Sequence, residues 1–239
     1  MNQTCFPILL SMLLWTTLPG QSSRPPQDHG PCAQPGRPPE PLRSIHTYLC
    51  GFHFYNGDPS RQVVAHHYCA PVGPEVMQCV IYDANRKGAR LVGVEYIVSA
   101  KLFKSFPEEE KKLWHSHRFE VKSGQLVAPA LGAAAEKSLM KDLVLTYGKI
   151  WQTWQVDRNS QVPMGIPQLL MGFTADGQVE PGLVARRDRE LGIATAARKA
   201  QRADLPVEVA DPGADAWQSG VAAQLELGAV RRAVPAAAR

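Results

Sequence analysis

The chain has 239 residues, of which 44% are hydrophobic and 20% charged; these ordinary globular values exclude disorder over the whole length. A formal net charge of +4 is too small to indicate a nucleic-acid-binding protein, and we expect no nucleic-acid partner. No apolar run reaches about 18 residues, so no transmembrane segment is expected in the mature chain, and five cysteines are too few for a disulfide-built scaffold.

The aromatic residues locate the folded domain. Of 18 aromatic residues, 15 lie between Tyr48 and Phe173, and the last 65 residues contain only Trp217. We therefore predict a domain at residues 44–178, followed by an Ala- and Arg-rich helical extension at residues 179–239.

Two segments precede this domain. Residues 1–23 contain a mostly apolar run of 13 residues, too short to span a bilayer, and predict an export signal. The alternative is a buried N-terminal extension, because no Lys or Arg precedes the run. Residues 24–43 contain seven prolines and predict an extended linker. The expected location is periplasmic or secreted if the signal functions, and cytoplasmic otherwise.

Strands and helices alternate within the domain. Alternating or β-branched residues predict strands at residues 62–69, 76–82, 90–98, 150–156 and 168–173. Ser105 and Glu108 have capping-box spacing and predict a helix that ends near residues 114–116. A hairpin is predicted at residues 119–127 and a second helix at residues 138–147. This order indicates an α+β fold, a single domain with a mainly antiparallel sheet and two or more packed helices.

The C-terminal extension predicts two further helices, at residues 186–203 and 217–232. Trp217, Val221 and Leu225 are spaced as an apolar stripe on a helix, which we expect to pack on the domain. A membrane-surface helix is the alternative, although its polar face carries few cations.

The histidines are clustered, and six of the seven are His46, His53, His66, His67, His115 and His117. His115 and His117 lie two residues apart, so they share a face only if the backbone is extended. Because the preceding helix ends here, an extended backbone is expected, and both imidazoles can then ligate one metal ion.

Other strands supply the remaining candidate ligands. Glu95 lies within an otherwise apolar strand, where a carboxylate needs a partner. His67 lies on another strand. His67, Glu95, His115 and His117 therefore form a candidate site for a divalent metal such as zinc, iron or manganese, with Glu120 as the competing carboxylate.

Structural roles remain open for the same residues. In this alternative, His115 acts as a cation at a helix C-terminus and His117 is a surface residue. Glu95 then pairs with Arg90 or Arg118. An H-x-H pair does not decide between these roles and a metal site.

Three interpretations of the cysteines are also open. In an exported protein Cys69 pairs with Cys79 or Cys50 in a disulfide, whereas in a cytosolic protein they are small buried apolar residues. A nucleophilic Cys69 activated by His67 is the third.

Several stretches resemble the oil body-associated protein family, whose members occur in plants, fungi and bacteria. The matching stretches are FHFY at 52–55, HYC at 67–69, QCVIYD at 78–83, ARLVGVEY at 89–96, PEEEKK at 107–112, WHSH at 114–117, FEVKSG at 119–124 and WQVDR at 154–158. The resemblance implies a domain linked to lipid droplets in plants, with no agreed enzyme activity and no catalytic residues to carry over.

Two functions are therefore expected. The first is an accessory or binding protein of a lipid surface or of another protein, as the resemblance implies. The second, from the residues alone, is a metal-binding domain or metal-dependent enzyme. The apolar start and Pro-rich linker differ from the plant pattern.

Overall fold

A computed structural model describes residues 38–206 and 209–228. The strands in this part of the chain are β1 Thr47–Tyr55, β2 Asp58–Pro71, β3 Val76–Tyr82, β4 Leu91–Ser99, β5 His115–Ser116, β6 Thr146–Gln152 and β7 Gln168–Gly172. The α-helices are α1 Glu40–Arg43, α2 Ala100–Lys104, α3 Glu108–Lys111, α4 Arg118–Lys122, α5 Ala133–Leu143, α6 Pro181–Leu191 and α7 Thr195–Gln201. The predicted export signal lies outside the described residues, as does the linker up to residue 37.

The sheet is antiparallel and closes on itself. Its strands follow the order β4-β3-β2-β1-β7-β6, and β6 pairs again with β4. The two-residue β5 pairs with the first half of β6, next to the point where β7 pairs with the second half. The predicted α+β class with a mainly antiparallel sheet is confirmed, and its closure is a feature that the sequence did not indicate.

Strand β1 is absent from the sequence-based prediction, yet it explains how the two faces of the sheet differ. Side chains alternate along a strand. Phe52 and Phe54 belong to an outer cluster with residues of β7 and α6, whereas Leu49, His53 and Tyr55 face the interior. The strand is therefore buried on both sides.

The interior is layered along the strands. One apolar cluster contains Leu49, Cys69, Cys79, Ile97 and residues of α5. The other contains Tyr55, Val63, Ala65, Ile81, Ile150 and Leu170. Inward positions between these two clusters are polar, as His67 lies between Ala65 and Cys69 on β2. A polar layer is therefore enclosed by apolar residues above and below.

Two fully buried arginines hold the segment after residue 178 against the sheet. Arg187 on α6 donates to the carbonyl oxygens of Gln125 and Cys50, at 2.8 and 3.4 Å. Arg202 donates to the carbonyl oxygens of Val121 and Leu126 and forms an ion pair with Glu136. Their hydrogen bonds satisfy backbone groups at the end of the closed sheet.

Several predicted elements need correction. Ser105 does not cap a helix but ends α2, whose N-cap is Ser99. The predicted hairpin at 119–127 is wrong because α4 begins at Arg118, and Gly124 follows it with φ of +78°. The predicted helix at 138–147 begins earlier, at Ala133, and ends at Leu143, because the chain enters β6 at Thr146.

The described part of the C-terminal extension, residues 179–206 and 209–228, is only partly helical. Helices α6 and α7 fall near the predicted helix at 186–203. Trp217 lies in a short 3-10 helix, and the described residues 221–228 are not helical, so the predicted stripe does not form. Trp217 packs instead against Phe54, with ring centroids 4.8 Å apart.

The cysteines follow one of the three open interpretations. Cys69 and Cys79 face each other across β2 and β3 and form a disulfide within the interior. Cys50 is a buried free thiol, and burial raises its pKa to about 11. Among the described helices, none has the length and apolar character to cross a bilayer.

Candidate metal centre

Both residues of the H-x-H pair are buried in the interior. The predicted extended backbone holds for His115, which lies on β5, but not for His117, which is the N-cap of α4 with helical dihedral angles. Their Nε2 atoms lie 3.5 and 3.3 Å from the same oxygen, Oε1 of Glu95. The Nδ1 atom of His117 is hydrogen-bonded to Oγ1 of Thr146 at 2.8 Å, which fixes the orientation of its ring.

The structure brings the three predicted histidines around the carboxylate of the fourth predicted residue, Glu95. His67 on β2 and Glu95 on β4 face inward across the intervening β3, and Nε2 of His67 lies 3.2 Å from Oε2 of Glu95. Donor atoms of Glu95, His115 and His117 all lie within 4.8 Å of one another, the spacing of possible metal ligands. His67 approaches the other oxygen of Glu95 and thus lies at the edge of this group.

Two further residues complete the cluster. Oε2 of Glu120 on α4 lies 3.8 Å from Nε2 of His115 and 4.0 Å from Nε2 of His117. Its other oxygen, Oε1, lies 3.5 Å from Nδ1 of His53 on β1. His53, His115 and Glu120 form a second group whose donor atoms lie within 4.8 Å of one another. All six residues are at most 2% exposed.

Glycines leave room for these side chains. A Cβ atom on Gly148 of β6 would lie on the carboxylate of Glu95 and 2.7 Å from Cε1 of His115. On Gly172 of β7 it would lie 3.0 Å from Cδ of Glu120. Both separations are shorter than ordinary contacts, so the polar layer occupies space that only glycine provides.

Burial sets the protonation of the imidazoles. Burial lowers the pKa of His115 to about 3, that of His53 well below its ordinary value, and that of His67 in the same direction. These rings are therefore neutral at physiological pH, which is the form that ligates a metal.

The two carboxyl groups of the cluster, Glu95 and Glu120, differ in the direction of their pKa shifts. Burial opposes ionisation of Glu95, but the imidazoles around it, led by His67, lower its pKa below the ordinary value. Burial, with the charge of Glu95 as a second cause, raises the pKa of Glu120 well above the ordinary value. The pKa values of the two carboxyl groups therefore shift in opposite directions.

Many polar atoms in the cluster lack hydrogen bonds. In the described residues, neither ring nitrogen of His53, His67 or His115 has a hydrogen-bond partner of good geometry, and neither carboxyl oxygen of Glu120 has one. Buried polar atoms are rarely left in this state. An ion or ordered water among them would satisfy these atoms.

The arginines considered as structural partners of Glu95 contact other residues. Arg90 pairs with Asp83, and Arg118 donates to the hydroxyl of Tyr147 at 2.7 Å. Neither arginine pairs with Glu95. His115 is on a buried strand and does not end a helix.

His53 is the residue that the sequence-based site omitted. Its signal was the alternation in residues 52–55, where two phenylalanines flank one histidine and so place it on the opposite face. Glu120 was identified only as a competing carboxylate, because the predicted hairpin concealed its place on α4.

The chain is similar to known proteins over most of its length. A family model described as "Protein of unknown function (DUF1264)" matches residues 39–206. The chain is 44% identical to oil body-associated protein 1B of Arabidopsis thaliana over 163 residues, 68% of each chain. It is 42% identical to oil body-associated protein 2A of Zea mays over 181 residues, 74% of this chain and 72% of the relative.

A third relative, oil body-associated protein 1A of Zea mays, is 41% identical over 187 residues, 77% of this chain and 79% of the relative. No solved structure matches the chain. The resemblance of the sequence motifs is thus confirmed by alignment over most of the chain, and this protein belongs to the oil body-associated protein family.

Proposed function

We propose that this protein binds a divalent metal ion, such as zinc, iron(II) or manganese(II), inside its closed sheet. Glu95, His115 and His117 are the central donors, with His67 beside them. The observation that carries the proposal is the mutual approach of these three donors within 4.8 Å in a fully buried site. Imidazole and carboxylate donors suit each of these metals, and two histidines with one carboxylate also hold iron(II) in many proteins.

The enclosure of the site favours binding over turnover. A metal-dependent reaction needs a path for its substrate, and each residue of the cluster is at most 2% exposed. The surface clefts of about 620 and 500 Å³ are lined by other residues. The proposal is therefore a metal-binding protein, without an assigned reaction.

Metal content tests this proposal directly. The full chain is purified without a polyhistidine tag or chelator, incubated with zinc, iron(II) or manganese(II), desalted and analysed by elemental mass spectrometry. We expect near-stoichiometric metal in the wild type and its loss in a His115→Ala/His117→Ala double variant. His66→Gln is the matched control, because His66 is a buried neighbour of His67 on the opposite face of β2.

Folding is followed by circular dichroism in each variant. A folded wild type that retains none of the three metals contradicts the proposal. So does a folded double variant that retains as much metal as the wild type.

A second role, association with a lipid surface, is favoured by an uncovered part of the sheet. The outer face of β1 and β7 is covered by α6, whereas the outer side of β2, β3 and β4 carries an apolar groove of about 500 Å³. Residues that line the groove include Leu42, Ile45, Tyr68, Val80, Tyr82 and Leu91. Exposed Arg86 and Lys87 lie in the adjoining loop.

These features suit a phospholipid monolayer. Aliphatic and tyrosine side chains enter the interface, and the two cations attract anionic headgroups. The names of the relatives, which associate them with oil bodies, support the same role.

Flotation tests the lipid proposal. The full chain is mixed with triolein droplets coated with phosphatidylcholine, with or without phosphatidylserine. We expect flotation of the wild type, strongest with phosphatidylserine, and its loss in Leu42→Ser/Leu91→Ser. Val162→Ser, at a side chain 53% exposed outside the groove, is the control. A wild type that stays in the soluble fraction with both coatings contradicts the role.

Export remains a separate proposal. It is supported by the apolar run in residues 1–23 and by the disulfide between Cys69 and Cys79, since disulfides persist mainly in oxidising compartments. The mass of the mature chain isolated from its source tests it. A chain that retains residues 1–23 contradicts export by cleavage.

A further inference from the structure

The second carboxylate of the cluster has a specific role in this site. Four donors placed tetrahedrally at about 2.0–2.1 Å from a zinc ion lie about 3.3–3.4 Å from one another. Oε1 of Glu95 lies 3.5 and 3.3 Å from the Nε2 atoms of His115 and His117. Oε2 of Glu120 lies 3.8 and 4.0 Å from the same two atoms. Glu95 therefore lies at the separation of ligands to one ion, and Glu120 lies about half an ångström beyond it on the same histidine pair.

We propose that the centre holds one divalent ion between Glu95, Glu120, His115 and His117. His67 and His53 are positioning residues, each of which holds the outer oxygen of one carboxylate. This inference rests on the proposed metal-binding function and adds the identity of the fourth ligand and the number of ions.

Charge balance supports a single ion with two carboxylates. Within the described residues, the ion-pair partners of Glu95 and Glu120 are histidines, and no lysine or arginine reaches either carboxylate. One divalent cation neutralises both when they are ionised. An ion held by Glu95 alone would leave a net positive charge in a site closed to water, which is unfavourable.

The outer imidazoles contact the oxygens that point away from the histidine pair. Nε2 of His67 lies 3.2 Å from Oε2 of Glu95, and Nδ1 of His53 lies 3.5 Å from Oε1 of Glu120. The rings of His53 and His67 pack edge to face, with centroids 5.3 Å apart. Metal-ligating carboxylates are commonly oriented by neighbouring donors, and these two imidazoles are the neighbours close enough to take that role.

Zinc affinity of isosteric variants tests the assignment. Competition with a chromophoric chelator gives the Kd of zinc for the wild type, Glu95→Gln, Glu120→Gln and His53→Gln. Loss of an outer partner weakens metal binding by about 10–100-fold, which we expect for His53→Gln. Both glutamate variants should lose at least about 100-fold, the upper end of that range. Glu110→Gln, which removes a surface ion pair with Lys149, is the control.

A second measurement does not depend on the folding of any variant. X-ray absorption of the zinc-loaded wild type counts the imidazole ligands, and native mass spectrometry counts the ions. Two imidazoles and one ion are expected. Three or four imidazoles, two ions per chain, or wild-type affinity in Glu120→Gln would overturn this inference while the metal-binding function stands. A wild type that binds no zinc, iron(II) or manganese(II) would overturn both.

Discussion

Gly148→Ala would place a methyl group inside the polar layer. The added Cβ would lie on the carboxylate of Glu95 and 2.7–2.8 Å from Cε1 and Nε2 of His115. An ordinary contact is about 3.5 Å or more, so the imidazole would have to move by about 0.7–0.8 Å. Gly148 pairs with β4 on one side and with β5 on the other, and these pairings limit the movement of its own backbone.

We expect this variant to lose about 1–3 kcal/mol of unfolding free energy, the usual effect of overpacking a core. Zinc affinity should fall by about 10–100-fold, because the ligands of the proposed centre are displaced. Urea denaturation measures the first effect, and chelator competition measures the second.

Gly182→Ala is the matched control. Gly182 lies in α6, and no atom lies within 4 Å of the position of its added Cβ. Gly182 is exposed in the first turn of α6, so alanine there should change the unfolding free energy by no more than about 0.5 kcal/mol and leave zinc binding normal. If Gly148→Ala matched the wild type in both stability and zinc affinity, the packing of Glu95 and His115 against Gly148 would be refuted.

Three further predictions concern stability. Burial lowers the pKa of His66 to about 4, against 6.5 for the free side chain. As the pH falls, the unfolded chain takes up the proton first, so the unfolding free energy decreases by up to about 3 kcal/mol between pH 6.5 and 4. Urea midpoints of the apoprotein should therefore depend less on pH in His66→Gln, and an unchanged dependence contradicts this. Reduction of the Cys69–Cys79 disulfide, which joins residues ten positions apart, should lower the unfolding free energy by about 2–3 kcal/mol. Urea denaturation with a phosphine reductant is compared with denaturation without it, and equal midpoints would count against this prediction. Arg202→Ala should cost about 1–3 kcal/mol in thermal or urea unfolding, because the buried carbonyl groups of Val121 and Leu126 lose their donor while Glu136 keeps its ion pair with Arg198. An unchanged unfolding free energy would contradict this.

The sequence indicated the local strand pattern well. β2, β3 and β4 contain alternating β-branched residues, which fit a half-buried pleated surface and therefore predict a strand whatever its place in the sheet. Glu95 and His115 were recognisable for the same local reason, since a charged residue in an apolar strand and an H-x-H pair on an extended chain are visible without the fold. The geometry then places both on the same side of the sheet.

Closure of the sheet and the role of α4 were not visible locally. The five residues of α4 are too few for a helix that is stable alone, so tertiary contacts determine it. Glu120 points to the interior because of this helix. His53 joins the cluster because β1 pairs with both β2 and β7, a long-range arrangement that local patterns do not encode.

The two-residue strand β5 has a consequence for the rate at which ions exchange. An ion held by the buried cluster can leave only when the wall around it opens, and the shortest section of that wall is β5, which carries His115. Local opening of this section would detach a ligand and admit water in one event. If the proposed centre holds an ion, we expect its lifetime to depend on the opening of β5 as well as on the strength of the coordination bonds, and we expect the ion to load faster during folding than into the closed protein.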